Sequence, residues 1–223
     1  VVHLGEDRNR IAEAEKAGEE LPDFGAPPNI QRSPLADGAP VAVDRAQLLS
    51  SRSKVAIKSP RLHGSIALRG ARIDDLTLAD YKETLDKDSP DVALLSPEGS
   101  KRSYYVDMNW IISNGAGPDK NSVWTADKDT LEAGGQVTLT WDNGAGLLFT
   151  RTIALDEHYM FSVIQKVTNN TESAINVAQY GQVVRKGRPE GQAFYISHEG
   201  PIWSLSEGIE EFSYSDLEDQ TQN

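Results

Sequence analysis

The chain has 223 residues, 38% of them hydrophobic, with no cysteine and with 34 acidic against 22 basic side chains for a formal charge of -12. That length and apolar content suffice for one large domain or two small ones with a substantial core, while the charge repels nucleic-acid phosphates, so nucleic acid is not an expected partner. The missing thiols exclude a disulfide framework and thiol-ligated zinc, no apolar run nears the ~18 residues of a membrane span, and the charged start is unlike a signal peptide.

Residues 1–53 differ from the rest. Glu6 to Glu20 can form a short charged helix, but beyond its alanines only Leu4, Ile11 and Leu21 are available to make an apolar stripe. Pro22, Pro27, Pro28, Pro34 and Pro40 follow among Gly and Asp, a composition that extends a linker without building a core. The stretch reads as a flexible tether with a possible short helix; the alternative is that Val41 to Leu49 docks on the domain as an edge strand or helical turn. From Lys54 to Asn223 the pattern predicts the domain proper. Leu62, Ile66 and Leu68 share one strand face and His63, Ser65 and Arg69 the other, with a break at Arg69-Gly70-Ala71. Tyr104, Val106, Met108, Trp110 and Ile112 alternate against Asp107 and Asn109.

Val137, Leu139 and Trp141 alternate likewise, Asp142-Asn143-Gly144 supplies a turn, and Leu147, Phe149, Ile153 and Leu155 resume the alternation, which predicts a hairpin. A second hairpin is expected to pair Tyr159–Val167 with Ile175–Val184 across the polar turn Asn169-Asn170-Thr171, and a further strand group at Ala193–Ser197 and Ile202–Leu205. Many strands at hairpin spacing without interleaved helices predict an all-β, antiparallel sandwich.

Two stretches, Lys54–Leu85 with Arg69-Gly70 and Ala79-Asp80-Tyr81-Lys82, and Thr152–Val184 with Asp156-Glu157-His158-Tyr159 and Tyr180-Gly181-Gln182, resemble in order and spacing the large periplasmic domain of the YidC-type membrane protein insertase of Gram-negative bacteria. The resemblance covers about Lys54 to Tyr214. It implies a galactose-mutarotase-like β-supersandwich that continues beyond the position of Asn223, a location in the periplasm within an inner-membrane protein, and a transmembrane helix before Val1. It further implies a non-catalytic role in the insertion and folding of nascent inner-membrane proteins alongside the Sec accessory subunits SecF and SecD. The SecF contact would fall within Tyr159–Tyr214, with Thr171, Gln182 and Glu207 as its candidate exposed positions.

No residue pattern argues for catalysis, a cofactor or a metal. The histidines His3, His63, His158 and His198 lack HxH or HxxxH spacing, and His198 and Glu199, as strand neighbours, point to opposite faces. No G-x-S-x-G, G-x-G-x-x-G or P-loop is present. Asn169-Asn170-Thr171 formally matches a glycosylation acceptor but reads as a turn. Asp74-Asp75, Asp86-Lys87-Asp88 and Glu210-Glu211 lack calcium-loop spacing and read as solvated faces. Trp110 and Trp141 fall on apolar strand faces and read as core, leaving Trp124 and Trp203 as the candidates for an exposed aromatic platform. The rival functions are a carbohydrate-binding or mutarotase-like enzyme, marked by a histidine and a carboxylate converging in a cleft, and a holdase for unfolded substrate, marked by an exposed apolar groove or sheet edge.

Overall fold

A computed structural model describes residues 43–113, 115–187, 198–205 and 208–216. Residues 1–42, which carry most of the expected tether, lie outside them, as does the strand expected at Ala193–Ser197.

The chain divides into two compact units, Val1–Arg185 and Lys186–Asn223. The first holds two sheets. The larger has seven strands: β1 (Lys54–Lys58), β2 (Leu62–Ala67), β3 (Arg72–Lys82), β4 (Asp91–Leu95), β5 (Tyr104–Ile112), β7 (Thr130–Glu132) and β11 (Val177–Arg185). Its order is β11-β5-β3-β2-β1-β7, with β4 also on β3; all pairs are antiparallel except β1 with β7. The smaller has the order β10-β9-β8-β6, built from β6 (Thr125–Ala126), β8 (Gly135–Asp142), β9 (Leu147–Leu155) and β10 (Phe161–Asn169). In the second unit, β12 (Ile202–Leu205) pairs antiparallel with β13 (Gly208–Glu211).

Inward rows from both sheets form one core. Val55, Ile57 and Ile66 of the larger sheet meet Val137, Leu139, Phe149, Ile153 and Leu155 of the smaller, all buried. This is the expected sandwich, and each such side chain contributes ~1.5–3 kcal/mol by leaving water. Trp124 belongs to the same core. It is 2% exposed and stacks on Trp110 at 5.9 Å, with Phe149 edge-on to Trp110 at 5.2 Å. The expected exposed platform is therefore corrected for Trp124: its segment bridges Arg69 through Val123 and donates Trp124 N–H to Leu68 O at 2.8 Å, which ties it to the sheet. The side chain of Trp203 is outside what the structure describes.

The second expected hairpin does not form. β10 pairs with β9, Phe161 opposite Leu155 and Asn169 opposite Leu147, while β11 crosses to β5 in the other sheet, Val177 opposite Ile112. The reason is local. Asp156 Oδ1 accepts from His158 N at 2.8 Å and Met160 N at 2.9 Å, closing the tight β9–β10 turn, whereas residues 170–176 are long enough to cross between sheets.

The alternative weighed for Val41–Leu49 is what the structure shows for residues 43–50. Val43 bridges Ser100, and the helix α1 (Arg45–Ser50) starts at Asp44, whose carboxylate accepts from Ala46 N at 2.8 Å. Among the described residues no helix is long and apolar enough to cross a membrane.

Candidate functional site

The chemistry of the first unit collects on the face of the large sheet that turns away from the core. A β-bulge between β2 and β3, where pairing shifts between Ser65/Asp75 and Ile66/Ile73, leaves Asp74 as the extra residue. It lets two successive aspartates stay off the core row of Ile73 and Leu76. Asp74 takes a bidentate pair from Arg52 at 2.6 and 2.7 Å; Arg52 also donates to Ser65 Oγ at 3.1 Å, and Ser65 Oγ donates to Asp75 at 2.7 Å. Arg45 of α1 pairs with Asp75. Both aspartates are buried, so the expectation of a solvated Asp74-Asp75 face is corrected: the bulge and two arginines from the docked segment cover them.

A second cluster adjoins the first. Arg72 pairs with Glu98 at 2.6 Å and with Asp107 at 3.2 Å, and its guanidinium lies 4.8 Å from the Tyr105 ring centroid. Asp107, 2% exposed, also accepts from Asn109 Nδ2 at 3.0 Å and Gln182 Nε2 at 3.4 Å. Burial holds the Asp74 carboxyl above the usual aspartate range, with Arg52 pulling it back. Burial also works against the charge of Arg72, but Asp107 and Glu98 outweigh it and raise its pKa. Burial raises Tyr105 and Tyr180 as well.

Between these clusters opens a cleft of about 540 Å³ whose charged lining is Arg52, Arg69, Arg72, Asp74, Glu98 and Lys120. Its rim is the loop Asp119–Ser122. Asp119 Oδ1 accepts from Asn121 N and Ser122 N at 2.8 Å each and from Ser122 Oγ at 3.0 Å, and Arg69 donates to Asn121 O at 3.2 Å. No histidine lines the cleft, and among the described residues no group of three or more acidic or histidine side chains could hold a metal ion.

Behind the cleft, inside the sandwich, stands Arg151. It occupies the inward row of β9 between Phe149 and Ile153 and is fully buried. Nη1 donates to Ala71 O at 2.6 Å, Nη2 to Met108 O, and Nε and Nη2 to Gln165 Oε1 at 3.1 and 2.9 Å. The guanidinium lies 5.2 Å from the Trp110 ring centroid and 5.3 Å from that of Trp124. Burial lowers its pKa to about 10, which leaves it charged at neutral pH. Ala71 precedes Arg72 and Met108 follows Asp107, so a core arginine clamps the backbone that aims the cleft's own ion pair.

The residues 54–223 match the family model of the YidC periplasmic domain. The chain belongs to the YidC periplasmic domain family. Its relatives include proteins named membrane protein insertase YidC: one from Methylobacterium radiotolerans is 45% identical over 82% of this chain and 30% of its own length. One from Methylobacterium nodulans is 46% identical over 79% and 29%, and one from Mesorhizobium japonicum 38% identical over 97% and 36%. The chain thus spans about a third of these relatives. As a member of that family it is a periplasmic domain, and the family match begins at Lys54, where the period-two pattern starts.

Two of the three candidate partner positions lie among the described residues. Thr171 is exposed, its hydroxyl donating to Asn169 Oδ1 at 2.7 Å within the β10–β11 connection. Gln182 is half-buried in β11 and tied to Asp107. Glu207 lies outside the described residues. Sequence reasoning missed Arg151 and the Arg72–Asp107 cluster. The signal for Arg151 was present as a charged residue at inward parity between Phe149 and Ile153.

Proposed function

We propose that this chain is the non-catalytic periplasmic part of an inner-membrane protein insertase. It works through protein–protein contacts that assist nascent inner-membrane proteins and the Sec accessory subunits SecF and SecD. The observation that carries this reading is the family match over 54–223 together with relatives that are named membrane protein insertases. The non-catalytic role is supported by a cleft whose carboxylates are committed to arginines and which no histidine lines. A general acid–base pair would need groups free to exchange a proton near neutrality.

The partner surface is proposed within Tyr159–Tyr214. Two features support it. β10 and β11 each end their sheet's path, so each keeps one side unpaired by any described strand, and both carry exposed apolar residues, Ile164 and Val183. Such edges offer main-chain groups and side-chain pockets to an incoming strand or loop. Photocrosslinking in the full-length protein from Thr171, Gln182 and Glu207, against controls at Asp86 and Lys128, tests it. SecF adducts from the first set alone are expected; equal yields from both sets, or none from the first, would place the contact elsewhere.

A further inference from the structure

We propose that the cleft on the outer face of the large sheet binds a phosphate-class oxyanion through Arg69, Lys120 and the Nε of Arg72. This goes beyond the insertase reading and does not depend on it.

The first observation is an unsatisfied donor. Arg72 is 8% exposed, its Nη1 and Nη2 are taken by Glu98 and Asp107, and its Nε is buried with no acceptor. The Nε of Arg52, at the same cleft, is also without one. A buried charged donor left unpaired is destabilising, and an arriving acceptor recovers that loss. The second is the space beside it. Gly70 sits at φ 74°, and a Cβ there would lie 3.5 Å from Arg72 Nε and 3.1 Å from Lys120 O. The bare glycine leaves less than a methyl group's room between the Nε and the Lys120 carbonyl, so an oxyanion reaches the Nε as the exposed Lys120 loop gives way.

The third is charge. Arg69 and Lys120 are exposed at this cleft and, among the described residues, neither pairs with a carboxylate. The lining carries four cationic against two acidic side chains in a protein of net charge -12, and Asp74 and Glu98 are already neutralised by Arg52 and Arg72. Arg72 is balanced by Glu98 and Asp107, and Asp119 stands at the rim, so among the described residues the cationic side chains left without an ion-pair partner at the cleft are Arg69 and Lys120.

A tetrahedral oxyanion presents acceptors in several directions and suits donors spread over three residues better than a planar carboxylate does. A volume of about 540 Å³ also leaves room for the group that bears the phosphate. Glu98, with a side chain 53% exposed, sits on Arg72 Nη1 and sets a negative charge beside the Nε, which an oxyanion must work against.

The test titrates the whole 223-residue chain with inorganic phosphate against chloride at equal ionic strength, reading binding by calorimetry and melting by circular dichroism. Expected are saturable phosphate binding, weakened roughly tenfold or more in the Arg69→Ala, Lys120→Ala double variant, and tightened severalfold in Glu98→Gln. Cosedimentation with phosphatidylglycerol-containing vesicles, against phosphatidylcholine alone, separates the sources. Retention that the double variant loses identifies a lipid headgroup, and phosphate binding without retention identifies a free small phosphate. Should the double variant melt early, the Glu98→Gln arm decides. Phosphate no better than chloride, as for a cleft that holds only water, or affinity unmoved by all three substitutions, overturns the proposal.

Discussion

Gln165 Oε1 accepts from both Nε and Nη2 of Arg151, at 3.1 and 2.9 Å, from the position directly opposite it on the neighbouring strand. Among the described residues no carboxylate pairs with this guanidinium, so a fully buried charge is held by one amide, two main-chain carbonyls and two indole faces. Ion–dipole contacts replace an ion pair. The arrangement is stiff because every acceptor belongs to a strand or to the β2–β3 turn, and it joins three strands across the two sheets.

Replacing Arg151 by Ala is expected to cost about 3–5 kcal/mol, because the carbonyls of Ala71 and Met108 and the Gln165 amide lose their donor in a dry site. Gln165→Ala is expected to cost roughly 1–2 kcal/mol. The double variant should fall short of the sum by on the order of 1 kcal/mol, the coupling expected of residues in one network. Urea denaturation of the four proteins measures this. Strict additivity would show that the pair is not a unit.

Most strands were legible because period two survives wherever one face is buried: β2, β5, β8 and β9 stand where the alternation put them. What failed was information carried between strands. The turn at Asn169-Asn170-Thr171 has hairpin chemistry, but β11 pairs with β5 of the other sheet and leaves one side of β10 unpaired by any described strand, and pairing partners are not written in a single strand's pattern. The site was illegible for a related reason. Asp107 and Asn109 read as the polar side of a half-buried strand, yet polar side chains on a sheet face become interior when neighbours cover them, and here Arg72 and Gln182 close on Asp107 and leave both residues buried. Asp74-Asp75 needed the bulge, which no composition announces.

The docked helix depends on Arg45. Its partner Asp75 is almost enclosed, with a side chain 7% exposed, so Arg45→Ala leaves a buried carboxylate with only Ser65 Oγ as donor. A loss of about 1–3 kcal/mol is expected, and it should be local. Amide exchange should accelerate across 45–50 while β1 to β3 keep their protection. Unchanged exchange in 45–50 would show that Val43 and Leu48, not the ion pair, hold the helix.

Asp119 gives the acid response of the cleft's rim. The main-chain N–H of Asn121, then the hydroxyl and N–H of Ser122, donate to its charged form and hold its pKa below the usual carboxylate range. The unfolded chain, with an ordinary aspartate near about 3.9, therefore binds more protons than the folded one between the two values. The contribution to stability is present above the unfolded value and is lost as pH falls through the folded one. A carboxyl-detected NMR titration is expected to place the midpoint below about 3.9, with the amides of Asn121 and Ser122 shifting over the same interval. Asp119→Asn keeps an acceptor oxygen, so the loop should hold at neutral pH while its acid response disappears; Asp119→Ala should loosen the loop at every pH. A midpoint at the ordinary value, or an acid response that persists in Asp119→Asn, would assign the acid response of the rim to some other group.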